Sequence, residues 1–140
     1  MIAWRLVQGD LLIVKKPRQK DAWQFPQGGV DPGESLLDTA LREFREECGP
    51  EPIKIYYHSH IKYKYDWSKK MQKERGFRGQ EINFFGACFV DPRPKITVDN
   101  EEIIDFKFVR VEQLSSFFDR KEYLEVALKV LEDFHWQRSR

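Results

Sequence analysis

Glu43, Glu46 and Glu47 stand close together in GGVDPGESLLDTALREFREECGP, the segment from Gly28 to Pro50. Carboxylates are hard oxygen ligands that favour magnesium or manganese, and magnesium keeps sites open for water and substrate phosphates. The surrounding residues spell a helix. Ser35 with Asp38 makes an N-cap with an acidic partner, Leu37, Ala40, Leu41, Phe44 and Cys48 recur at helical spacing, and Gly49-Pro50 ends the run, which predicts a helix over 36–48. At about 100° per residue the three carboxylates share an arc of about 100° beside the apolar stripe. That arrangement is electrostatically poor, because like charges one turn apart repel and the helix dipole disfavours anions near its C-terminus. Something cationic must offset it. A string of this kind is also an ordinary solvated acidic face, with Arg42 and Arg45 pairing locally. Upstream, Gly28-Gly29 and Asp31-Pro32-Gly33 supply backbone freedom and a tight turn, so that main-chain groups and carboxylates can converge on one bound object.

The elements that must position this helix follow from patterning. Ile2 to Val7 and Leu11 to Lys15 read as strands joined at Gly9-Asp10, and Ala22 to Phe25 as a short third. After the helix, Ile53 to Tyr65, Glu81 to Val90 and Phe106 to Val111 read as strands, with residues 66–79 as a loop and Asp91 to Pro94 as a turn. Tyr123, Val126, Ala127, Val130, Leu131 and Phe134 form the apolar face of a last helix. The order fits an α/β fold, a mixed sheet packed between helices. With 140 residues the chain suits a single domain over 1–140. Lys plus Arg total 24 against 23 Asp plus Glu, a balance that names no partner. Cys48 and Cys88 lie in apolar runs and read as reduced core residues. Arg5, Gln8 and Asp10 break the first apolar stretch, which excludes a signal peptide or membrane span there, and the cytoplasm is the expected location.

The central segment resembles the Nudix box: glycine, five residues, glutamate, seven residues, Arg-Glu, an apolar residue, any residue, Glu-Glu, any residue, glycine. The match falls on Gly28, Glu34, Arg42, Glu43, Phe44, Glu46, Glu47 and Gly49, with Pro50 where an aliphatic residue is usual. The resemblance implies the Nudix α/β/α sandwich and metal-dependent hydrolysis of a nucleoside diphosphate linked to another group. It also implies Mg2+ (or Mn2+) on Glu43, Glu46 and Glu47, and a structural ion pair between Glu34 and Arg42. The phrase Trp23-Gln24-Phe25-Pro26-Gln27-Gly28-Gly29 is similar to the branch of RNA 5′-pyrophosphohydrolases and asymmetric dinucleoside tetraphosphate hydrolases. Tyr65-Asp66, the lysine-rich stretch after it, Gly79 to Phe85 and Phe106 to Val109 carry the same likeness over nearly the whole chain.

Several charges then acquire expected roles. Lys62, Lys64, Lys69, Lys70, Lys73, Arg75 and Arg78, interleaved with Tyr63, Tyr65, Trp67 and Phe77, are either a solvated surface or a contact for polyphosphate or RNA, in which cations hold phosphates and rings stack on bases. Lys15 and Lys16 end a strand beside the glycine loop, and Lys15 could neutralise a phosphate. Expected substrate contacts are Lys15, Gly28, Gly29, Lys64, Tyr65 and Phe118, although Phe118 suits the core somewhat better, with Phe117-Phe118 anchoring the last helix. His58 and His60 alternate onto one strand face and read as structural or solvent-facing. The expected catalytic groups are Glu46, Glu47 and Glu102. Glu102, in the acidic turn before the Phe106 strand, is the candidate general base by resemblance, with Asp99, Glu101 and Asp105 as neighbours. The implied reaction is attack of metal-activated water at phosphorus, splitting diadenosine tetraphosphate into ATP and AMP, removing pyrophosphate from 5′-triphosphorylated RNA, or both. The alternative is a noncatalytic RNA- or nucleotide-binding regulator on the same fold. No obligate protein partner is evident.

Overall fold

The computed structural model describes residues 1–17, 23–27, 33–66, 68–76 and 78–138. In chain order these form β1 (Ile2–Arg5), β2 (Asp10–Lys15), β3 (Trp23–Gln24), α1 (Leu36–Cys48), β4 (Ile53–Asp66), α2 (Lys69–Arg75), β5 (Gly79–Phe89), β6 (Asp105–Val109), α3 (Leu114–Phe117) and α4 (Lys121–Arg138). The strands build one mixed sheet in the order β3-β2-β1-β5-β4, with β6 on β2. β1 runs parallel to β5 through Ile2↔Gly86 and Trp4↔Cys88, and the remaining pairings are antiparallel. β2 is the centre. β6 pairs with it from Leu11 to Lys15, while β1 takes Asp10 and Leu11 and β3 takes Val14 and Lys15.

Both sheet faces are covered, which is why β2 reads as an unbroken apolar run. Alternation sends Ile2, Trp4, Leu11 and Ile13 into one core with Tyr123, Ala127, Val130, Leu131 and Phe134 of α4. Met1, Ala3, Leu12 and Val14 enter the other, with Phe44 and Cys48 of α1 and Phe85, Ala87 and Phe89 of β5. The sandwich expected from the sequence is therefore the observed architecture. Cys48 and Cys88 are buried free thiols in opposite cores. Among the described residues no helix is long and apolar enough to cross a membrane.

The structure departs from the sequence reading in four places. β1 stops at Arg5, because the chain turns through Gly9 at φ +70° while Arg5 pairs with Asp10, and Leu6 and Val7 are exposed. β3 is limited to Trp23–Gln24 among the described residues. The stretch 66–79, read as a loop, holds α2: the Ser68 hydroxyl accepts from Met71 N at 3.3 Å, and Gly76 closes the helix at φ +74°. Its Lys, Gln, Arg, Met and Glu are strong helix formers that a reading by charge alone overlooks. His58 and His60 are both exposed, as expected, but do not share one face, since β4 is irregular between His58 and Lys62; His58 stacks on Phe85 at 4.2 Å, while His60 reaches toward Asp133 of α4.

α4 closes on the sheet over a glycine. A Cβ on Gly86 would lie 2.5 Å from Cε2 of Phe134, which also packs against Trp4 and Tyr57. Gly86→Ala should lower unfolding free energy by about 1–3 kcal/mol through overpacking. Urea unfolding tests this, and an unchanged midpoint would show that α4 does not depend on that approach.

Candidate active site

α1 fits its local chemistry at both ends. Ser35 Oγ accepts from Asp38 N at 3.1 Å, and Gly49 N donates to Arg45 O at 2.9 Å. Gly49 is required twice over: its φ is +90°, and a Cβ there would sit 3.1 Å from Cβ of Thr97. Between these caps Phe44 and Cys48 face the core, so the neighbouring carboxylates are graded by angle. Glu47 is 1 % exposed, the Glu43 side chain is 13 % exposed and that of Glu46 is 52 % exposed.

Arg42 is the cation that the acidic face demands. Its Nε and Nη2 donate to Glu34 Oε2 and Oε1, each at 2.8 Å, a bidentate pair further fixed by Thr39 Oγ1 at 3.2 Å from Glu34 Oε1. Nη1 donates to Glu43 Oε1 at 2.9 Å and Glu46 Oε2 at 3.2 Å. The Glu34 hydrogen bond is the leading cause holding the Arg42 guanidinium charged. One side chain thus ties the segment before α1 to the helix and offsets two of the crowded charges.

Glu47 lies beyond that pairing. Burial pushes its carboxyl up to about 8, and the charge of Glu43 adds to the rise, while Lys16, the Met1 amino group and the Gln27 backbone oppose it. Glu43 is raised as well, chiefly by burial, against its hydrogen bond to Arg42 and with the charges of Glu46 and Glu102 adding to the rise. Glu102 arrives from the opposite side. Asp99 Oδ1 accepts from the backbone N–H groups of Glu101 at 3.1 Å and of Glu102 and Ile103 at 3.0 Å, Asn100 adopts φ 64°, and the fully buried Ile103 anchors the turn. Asp99 is therefore the turn former, and its own carboxyl is held below the usual range by those hydrogen bonds.

Glu43, Glu47 and Glu102 each offer an oxygen, and the three lie within 4.8 Å of one another. Glu47 Oε2 is buried without a hydrogen-bond partner among the described residues. A desolvated, unsatisfied carboxylate oxygen beside two more carboxylates is costly unless a cation completes it. Magnesium–oxygen distances of about 2.0–2.1 Å put ligands of one ion up to about 4.2 Å apart, so small rotations close the cluster on an ion. The donor set fits a hard divalent cation. Glu46 stands outside the cluster, held by Arg42.

The remaining expected residues separate. Phe118 is 4 % exposed, wedged against Phe25 and Tyr123 at ring distances of 5.0 and 5.2 Å, and has no face to offer a substrate. Its neighbour Phe117 is the accessible ring, edge-on to Trp23 at 5.7 Å. Lys15 is register partner to Trp23, with Nζ 6.0 Å from the indole centre, and Lys107 Nζ lies 5.8 Å from Trp23 and 5.7 Å from Phe117. Lys16, the next residue, is the one whose charge acts on Glu47. Strand parity was the available signal, because adjacent side chains leave β2 on opposite faces. Tyr65 packs toward Tyr63 and Arg120, whereas Lys64 pairs with Glu81 at 3.3 Å on the other face. Gly28 and Gly29, with Asp31, Pro32, Arg18, Lys20, Trp67 and Phe77, lie outside the described residues. A cleft beside Glu43 is lined by Gln27, Leu36, Ala40, Glu81, Asn83 and Phe85.

A family model for the NUDIX domain matches residues 2–134. The chain is 37 % identical over 131 residues to an RNA pyrophosphohydrolase of Nitratiruptor sp., covering 89 % of this chain and 81 % of that one. An RNA pyrophosphohydrolase of Campylobacter jejuni subsp. jejuni is 31 % identical over 133 residues, with 88 % and 81 % covered. A C. elegans Ap4A hydrolase binary complex superimposes with a TM-score of 0.70 at 18 % identity, covering 96 % of this chain and 95 % of that one. The E. coli dihydroneopterin triphosphate pyrophosphohydrolase gives 0.73 at 14 % identity, with 94 % and 92 % covered, and both likenesses are of fold. The chain belongs to the Nudix family and is a Nudix hydrolase, an enzyme acting on phosphoanhydride bonds.

The buried carboxyl has a thermodynamic signature. A Glu47 pKa raised from 4.5 to about 8 means that the metal-free fold binds this proton more tightly than the unfolded chain, so its contribution falls as pH rises from about 4.5 through about 8. Compared with Glu47→Gln in EDTA, the wild type should lose melting temperature progressively between pH 5 and pH 9, on the order of several degrees. Excess Mg2+ should restore it only in the wild type. Parallel pH profiles for the two proteins would rule out a costly buried charge.

Proposed function

We propose that this Nudix hydrolase removes pyrophosphate from 5′-triphosphorylated RNA, using a divalent cation, with Mg2+ foremost, held by Glu43 and Glu47 with Glu102 beside it. The observation that carries the reading is the carboxylate cluster with its orphaned Glu47 oxygen. The choice of RNA is supported by the two relatives named RNA pyrophosphohydrolase at 37 % and 31 % identity over most of the chain. Residues 1–140 act as one Nudix domain in this reading, working in the cytoplasm without an obligate protein partner.

When bound, the cation would lower the pKa of water and neutralise charge building on the leaving phosphate. The residues supply the rest. Glu47, desolvated and held by the Gln27 backbone, fixes the cluster from below, and Glu43 is oriented by Arg42. Glu102, exposed at the cluster's outer side on a turn stapled by Asp99, takes the proton from the attacking water and returns it to solvent. Glu46 would be a further ligand on release of its exposed contact to Arg42, a pairing of a kind worth little in water.

The base end of the substrate lies on the half-buried Trp23 and Phe117, with Lys15 and Lys107 holding phosphates beside the rings. Such a platform stacks any base and pairs its charges with phosphate oxygens. A dinucleoside tetraphosphate also presents a phosphate chain next to a base, so the same residues would accept it.

Turnover of both substrates with Mg2+, with products identified, tests the reading. Triphosphorylated RNA should yield pyrophosphate. Conversion of diadenosine tetraphosphate to ATP and AMP with RNA untouched would overturn the RNA assignment, and no Mg2+-dependent turnover of either, in wild type as in Glu47→Gln, would favour a noncatalytic binder. Glu102→Gln should reduce kcat by about 10²–10⁴-fold. Trp23→Ala should raise KM about tenfold or more, the cost of one stacked base, with kcat little changed; an unaltered KM would remove the ring from the substrate path.

A further inference from the structure

We propose that α2 is a docking surface for the single-stranded RNA chain that follows the 5′ end, a role that rests on the RNA reading above and extends it beyond the reacting phosphates. α2 buries none of its residues and is capped by Ser68 and Gly76. None of its residues joins either hydrophobic core. Lys69, Lys70 and Lys73 fall within about 100° of one another around the helix, forming one stripe.

Other basic residues of this hairpin are paired: Lys62 and Lys64 share Glu81 at 3.2 and 3.3 Å, and Arg78 pairs with Asp66 at 3.1 Å. Lys69, Lys70 and Lys73 have no ion pair among the described residues. Their placement also opposes helix stability. Lys69 and Lys70 occupy a first turn that contains no acid, where the helix dipole disfavours cations, and Lys69–Lys73 is a like-charge pair one turn apart. A polyanion along the stripe relieves both penalties.

Position selects the polyanion. The ribbon of β4 and β5 runs from Asn83, in the cleft beside Glu43, to Gly79 at the base of the hairpin tip, four residues or about 13 Å. In the reading above, a free dinucleotide is taken up by the carboxylate cluster and the Trp23–Phe117 platform with its lysines. Only a polymer carries further phosphates out to α2.

The variant Lys69→Ala/Lys70→Ala/Lys73→Ala keeps helix propensity, and an arginine triple variant preserves the charge. For a triphosphorylated single-stranded RNA several nucleotides long, the alanine variant should show a higher KM, an unchanged kcat, and a log–log salt dependence of kcat/KM shallower by about 2. A triphosphorylated dinucleotide should be hydrolysed as by wild type, and the arginine variant should retain both behaviours. An unchanged KM and salt slope on the long RNA would overturn the proposal, as would equal losses on both substrates. Binding of 5′-hydroxyl single-stranded RNA, followed by fluorescence anisotropy, separates this proposal from the catalytic reading. Weaker binding by the alanine variant supports the surface even if no RNA is hydrolysed, whereas equal or absent binding in both proteins refutes it.

Discussion

The interaction on which this structure turns is the burial of Glu47. A carboxylate that is 1 % exposed, on the core side of α1, cannot be tolerated without compensation, and the surrounding chain is organised to supply it. Lys16 from the end of β2, the Met1 amino group and the Gln27 backbone all act on that one group. Met1 is itself held by its nitrogen donating to Pro26 O at 2.7 Å. These partners come from segments distant in sequence, so the energetic problem posed by one side chain also brings β1, β2 and the residues after β3 against the helix. The compensation is incomplete, as the unpartnered Oε2 shows, and that shortfall is where a cation would bind.

Two devices keep the cluster open. Arg42 directs its fork to Glu34 and Nη1 to Glu43 and Glu46, drawing the exposed charge outward, and among the described residues no guanidinium pairs with Glu47. The turn at Asp99 brings Glu102 from the far side, so the cluster is assembled across a gap instead of along one helix face. Three acids on a single helix would present themselves to solvent. Two on the helix and one across from it make an enclosure.

The helix and its caps were readable because each is a local matter of spacing, and α1 spans the residues expected of it, whereas the Glu34–Arg42 pair was legible only through the Nudix resemblance. The sandwich was readable for a similar reason, since period-two alternation with both faces apolar admits few arrangements. What escaped depended on parity or on shape. The choice between Phe117 and Phe118 turns on which ring faces Phe25 and Tyr123, and no spacing rule distinguishes adjacent aromatics at the end of a short helix. Lys16 could have been found by counting from the buried Leu12 and Val14, whose side of β2 it shares, whereas Lys15 follows Leu11 and Ile13 toward Trp23. Asp99 could not be told from Glu101 or Glu102 without the backbone it caps. α2 was hidden by its own lysines, which read as a solvated loop when only charge is weighed.

The fold separates what must be rigid from what may vary. β2, which ends at Lys15 with Lys16 next in the chain, is bonded along both edges and packed on both faces, so its end cannot shift without disturbing two cores. The tip of the β4–β5 hairpin has no such support: α2 is capped, and none of its residues is buried or joins either core. A displacement of the tip therefore costs little and transmits little, because the ribbon reaches the core only from Tyr65 and Ile82 inward. Positioning of reacting groups, where a small error is expensive, sits on the doubly buried strand and helix. Recognition by charge tolerates looser geometry and can be left to an exposed extension, since attraction between ammonium groups and a flexible chain of phosphates depends on density more than on exact placement.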